Sequence, residues 1–232
     1  MKVILVGVCF VLLVAAFMIW RYRTTHAREA HIRTYFLPKG LYDKLRERHP
    51  HLTLKDCQIV AQGLRQFFLA YLRSGHQHVS MPSQVVDDLW HEFILNTKSY
   101  QAFCRQAFGR FLHHTPAAAL SDATKSNPGL RRCWWYVCRE ENINPRMPTR
   151  LPLLFALDAK LNIANGFRYA ADCSMLRKEE LATGNKSVTY CGGDFASASI
   201  DGGTDGFGDS AGSDAGGDSG GGCGGGCGGG GD

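Results

Sequence analysis

Charge is missing from both ends of this chain, in different ways. Between Val3 and Trp20 eighteen consecutive residues carry none, which argues against an ordinary half-exposed surface helix. Between Cys191 and Asp232 there is no lysine or arginine but there are seven aspartates, so the formal net charge of +5 becomes +12 for residues 1–190. A basic body therefore carries an acidic tail. Convincing strand alternation is also missing before Thr189, which leaves an all-α body as the expectation. No glycine-rich phosphate loop and no G-x-S-x-G element occurs, and His91-Glu92 lacks a zinc-protease partner because Leu95 stands four residues after His91. The usual signatures of nucleotide, serine-hydrolase and zincin chemistry are thus excluded.

The apolar run at the start is long enough for a helix rising 1.5 Å per residue to cross a hydrocarbon core. It ends in Phe17-Met18-Ile19-Trp20-Arg21-Tyr22-Arg23, an interfacial anchor pattern and not the small-residue end of a cleaved leader. Arg21, Arg23, Arg28, Arg33 and Lys39 follow the run, whereas Lys2 alone precedes it. That asymmetry predicts a single-pass protein with its soluble domain in the cytoplasm. In a reducing compartment the nine cysteines, an odd number, are expected as free thiols.

The expected organisation is an anchor over residues 1–23, a juxtamembrane linker over 24–39, a compact helical domain over 40–173, a second linker over 174–190 and a disordered tail over 191–232. Nineteen of the 42 tail residues are glycine, too few large side chains remaining to offset the entropy of ordering. Within the domain, Thr53 caps a predicted helix over 54–72, and Ser83 opens another over about 84–96. A third follows Thr97, a fourth starts at Asn127-Pro128, and a fifth covers 151–163. Tyr100, Phe103, Cys104, Ala107, Phe108 and Phe111 form an apolar stripe, as do Leu130, Cys133, Trp134, Val137 and Cys138. Cys133 and Cys138 sit about 140° apart on a helix, a poor chelate, and read as core.

The residues most suggestive of chemistry are Asp87 and His91, four apart and therefore neighbours on one helix face. A carboxylate beside an imidazole can orient a metal ligand or a proton carrier. Cys104, His113 and His114, with His78 on the other side, could complete a site for an ion such as zinc if the loops fold together. The competing reading is a surface pair at Asp87/His91, a core thiol at Cys104 and a histidine pair at a helix C-terminus. In the tail, Cys223 and Cys227 flank three glycines, and the aspartates lack the nine-residue period of calcium-binding repeats.

The run Val86-Asp87-Asp88-Leu89-Trp90-His91, followed by Tyr100, Phe103-Cys104, Phe108-Gly109 and His113-His114, resembles the core motif of the glycine-rich domain-containing proteins. That family has plant members and shorter bacterial, membrane-anchored ones. The likeness covers about forty residues, and it implies a helical domain but no reaction. With no complete catalytic set, the expected role is partner binding or scaffolding at the membrane. The alternative is a metal-binding protein or metal-dependent enzyme centred on Asp87/His91. The bilayer, met through residues 3–20, and a protein are the expected partners. Nucleic acid is not.

Overall fold

The computed structural model describes residues 2–114, 128–171, 189–191 and 195. Among them the chain is mostly helical: α1 (Lys2–Thr34), α2 (Leu41–Arg48), α3 (Leu54–Arg73), α4 (Gln84–Leu95), α5 (Thr97–Phe108), α6 (Pro128–Glu140) and α7 (Leu153–Lys160). Two short strands, β1 (Arg168–Ala170) and β2 (Thr189–Cys191), pair in parallel with Tyr169 opposite Tyr190. The tail beyond Phe195, with Cys223 and Cys227, lies outside the described residues.

α3 is the central helix. Thr53 accepts from the Asp56 backbone while the Asp56 carboxylate takes the Thr53 N–H, a capping box that starts the helix where the sequence predicts. From Val60 onward buried residues surround it, so it packs against α1, α4, α6 and α7 on different sides. Gly63 permits the closest approach, since a Cβ there would stand 2.5 Å from the Leu157 side chain. Phe68 and Phe103 meet at 4.9 Å, as do Phe67 and Trp90, and a second aromatic group joins Trp134, Phe155, Tyr169 and Phe195.

α1 is long and apolar enough to cross a membrane, and its apolar window is wholly exposed. It then continues into the body. Residues 24–34, expected as linker, are helical because nothing before Pro38 breaks the helix. Their inner face belongs to the core: Ile32 is fully buried, and His31 and Tyr35 pack on Phe103. Arg73 at the end of α3 clasps Glu29 through two hydrogen bonds and also reaches Glu140 of α6, which pairs with Arg33. α1 is thus fastened to two helices by an ion-pair network.

Three further elements depart from the expected boundaries. α2 was not expected, having only Leu41 and Leu45 as buried apolar positions, too few for a periodic signal. The fifth expected helix is shorter at both ends and stops at Lys160, with Asn162 left-handed just beyond. The body also reaches past residue 173, because β2 pairs with β1 and Phe195 is buried against Trp134 and Phe155. A three-residue strand and one aromatic ring inside a glycine-rich stretch leave little trace in composition.

Candidate metal centre

α4 carries the centre. Ser83 caps it by accepting from the Val86 N–H, and the N-terminus is gripped from α7 by Asp158. That carboxylate, 2 % exposed, accepts from the Ser83 hydroxyl and the N–H groups of Gln84, Val85 and Phe167. Four donors satisfy the buried charge and fix the first turn of α4. Asp87 and His91, one turn further, are held in register by this cap.

The third participant comes from the loop after α5. Gly109 ends that helix in the left-handed conformation, and the chain turns back toward α4. Tyr100, fully buried, accepts from Trp90 Nε1 at 3.2 Å and donates to the Leu112 carbonyl at 2.7 Å. Burial raises the Tyr100 phenol far above its usual range, so it remains a donor. Two residues past this pin, the His114 ring stands edge-on to Trp90 at 4.7 Å and 4.4 Å from the His91 ring.

Asp87 lies between the two imidazoles. Its Oδ1 is 3.0 Å from His114 Nε2 and its Oδ2 is 3.7 Å from His91 Nδ1. One ligand atom from each residue falls within 4.8 Å of the others. The side chains of Asp87 and His114 are about one-fifth exposed and that of His91 is 41 % exposed, so solvent reaches the group. Two imidazole nitrogens and a carboxylate suit zinc or ferrous iron, with coordination positions left for water.

Not every residue singled out in the sequence joins them. Cys104 is fully buried on the inner face of α5, where burial pushes its thiol up and keeps it protonated, a poor ligand. His113 packs instead against Phe111, ring centroids 4.7 Å apart and tilted, while His114, two residues past the pin at Leu112, faces α4. His78 is held at α6, its carbonyl accepting from Arg132 and its ring lying over Gly129. Trp90 and Tyr100 do more than fill the core: through their hydrogen bonds they also carry the loop that positions His114. Only their shared hydrogen bond shows this, and periodicity does not encode it.

Neither the curated proteins nor the solved structures yield a match. The resemblance to glycine-rich domain-containing proteins is corrected by the family comparison, which finds a different, uncharacterised family. The residues behind that resemblance are largely core positions, Leu89, Trp90, Tyr100, Phe103 and Phe108, whose pattern a helical bundle of another family shares. A model described as UCP032817-like matches residues 27–195, from the part of α1 that enters the body to the buried Phe195. On that match the chain belongs to the UCP032817-like family.

Proposed function

We propose that this is a single-pass membrane protein whose cytoplasmic helical domain binds a divalent transition metal ion, zinc or ferrous iron, at Asp87, His91 and His114. The convergence of these three side chains from α4 and the loop after α5 carries the reading. In a tetrahedral zinc site with bonds of about 2.0–2.1 Å, neighbouring donors stand about 3.4 Å apart. The Asp87 Oδ1–His114 Nε2 separation, 3.0 Å, is a hydrogen bond that a bound ion would replace while widening it toward that edge, and His91 Nδ1 stands 3.7 Å from the other carboxylate oxygen. Three protein donors and an open side match catalytic more than structural sites, which close with four. The spanning role of α1 rests on its length and apolarity, and the orientation on the arginines that follow Trp20.

The test uses the full chain, purified in detergent under reducing conditions with no metal added, beside Asp87→Asn, His91→Ala and His114→Ala. Elemental analysis should find stoichiometric zinc or iron in the parent and a loss in each variant whose helical circular dichroism is unchanged. Nine cysteines make adventitious zinc a real competitor, so cobalt(II) substitution is the second readout. A nitrogen and oxygen set gives no thiolate-to-cobalt charge transfer. Metal content that survives loss of His91 or His114, or a thiolate spectrum, would sink the metal reading and return the domain to the scaffolding role.

A further inference from the structure

We infer that the membrane-facing end of the helical body is an anionic-lipid surface, in which Arg21 and Arg23 receive phospholipid phosphates and Arg28 and Arg110 add to the attraction from just above the headgroups. The inference rests on the proposed spanning role of α1 and extends it from an anchor to a headgroup site.

α1 and α3 run antiparallel. Arg65 donates to the Tyr35 carbonyl, Arg73 meets Glu29 eight residues further along α3, and beyond them His76 faces Arg28. At this last level the Arg28 guanidinium lies over Gly109, where a Cβ would stand 2.6 Å from it. Arg110 is the next residue after Gly109, so the two arginines stand together at this end of the body; burial lowers the His76 imidazole, and their charges add to it. The end of the body nearest the apolar run of α1 therefore gathers cations from α1 and from the loop after α5.

These cations differ from those one level higher in how they are neutralised. Arg33 and Arg73 are consumed by Glu29 and Glu140. Among the described residues, none of Arg21, Arg23, Arg28 and Arg110 has a carboxylate partner, and Glu29 is the first acidic residue of the chain. Arg21, Arg23 and Arg110 are exposed.

The heights agree with phosphate contact. With Trp20 at the edge of the hydrocarbon, a rise of 1.5 Å per residue sets Arg21 and Arg23 roughly 2 and 5 Å above it and Arg28 about 12 Å above it. A headgroup layer is about 5–8 Å thick, so the first two lie within it. Arg28 and its neighbour Arg110 stand above it by less than the screening length of about 8 Å. Arginine offers a planar donor fork suited to phosphate. Nucleic acid would meet the same charges, but this end of the body faces the bilayer edge, which favours the lipid.

The test keeps the full chain in its membrane. Alkaline carbonate extraction comes first: release of the protein would overturn the spanning role and this inference with it. If the protein is retained, it is solubilised gently from membranes of phosphatidylcholine with a minority of phosphatidylglycerol, and the lipid that stays bound is quantified by mass spectrometry. The expected result is an anionic-to-zwitterionic ratio well above that of the bulk membrane. It should fall by up to about fivefold for each exposed arginine removed in Arg21→Gln/Arg23→Gln/Arg110→Gln, each being worth about 1 kcal/mol near an anionic surface. Arg28 is left in place because it covers the C-terminus of α5. Lys44→Gln/Lys55→Gln, on α2 and at the first turn of α3, should leave the ratio unchanged. A parent ratio equal to the bulk, a ratio insensitive to the triple substitution, or co-purifying RNA lost with the same arginines would overturn the inference while leaving the span intact.

Discussion

Replacing Tyr100 by Phe removes one oxygen atom and tests whether the proposed metal site at Asp87, His91 and His114 depends on the core beneath it. The hydroxyl accepts from Trp90 Nε1 at 3.2 Å and donates to the Leu112 carbonyl at 2.7 Å, and the side chain is fully buried. Phenylalanine keeps the ring but strands both partners. A buried donor or acceptor without a partner costs about 1–3 kcal/mol, so the pair should lower stability by roughly 2–6 kcal/mol. That is a large share of the 5–15 kcal/mol typical of a domain, though short of unfolding most. The second consequence lies at His114, two residues past the lost pin. A displaced supporting partner commonly lowers metal affinity 10–100-fold, and a loss in that range is expected here. Chelator-competition titration of zinc into the detergent-solubilised chain measures it, with urea unfolding followed by tryptophan fluorescence for stability. Destabilisation with unchanged affinity would refute the positioning role of Tyr100. Unchanged stability would refute the buried hydrogen bonds themselves.

Two more outcomes follow from the same physics. Asp158→Ala deprives the Ser83 hydroxyl and three backbone N–H groups of their acceptor, so unfolding should cost about 3 kcal/mol less or worse, read from urea midpoints, and hydrogen exchange should quicken in the first turn of α4. The ion pairs at Glu140 predict a pH effect: burial pushes its carboxyl up, but the hydrogen bond from Arg33 and the charge of Arg73 outweigh it and hold the group below the ordinary 4.5. A carboxyl depressed on folding contributes stability above its unfolded value, and that contribution fades as pH falls through the folded one. Residues 24–34 of α1 should therefore loosen from α3 below about pH 4.5, and Arg73→Ala should loosen them already at neutral pH, both seen as faster hydrogen exchange in that stretch.

What the sequence by itself determined is local. The apolar run, the Thr53 and Ser83 caps, the Pro128 helix start and the stripes holding Tyr100 and Trp134 were legible, because capping and 3.6-residue periodicity depend on residues a few positions apart. Asp87 and His91 were legible as a pair for the same reason, being one turn apart. The choice between His113 and His114 was not, since a hydrogen bond from Tyr100 twelve residues earlier decides it. Nor was the fate of Cys104, which shares a stripe with core and site candidates alike and is assigned to the core only by what packs over it. The entry of α1 into the body, the grip of Asp158 on α4 and the return of Phe195 to Trp134 join residues from 44 apart, at Glu29 and Arg73, to 107 apart, at Arg33 and Glu140. Such contacts form when distant apolar faces and buried charges find partners, and no window of neighbouring residues contains both halves. Only the tertiary structure decides them.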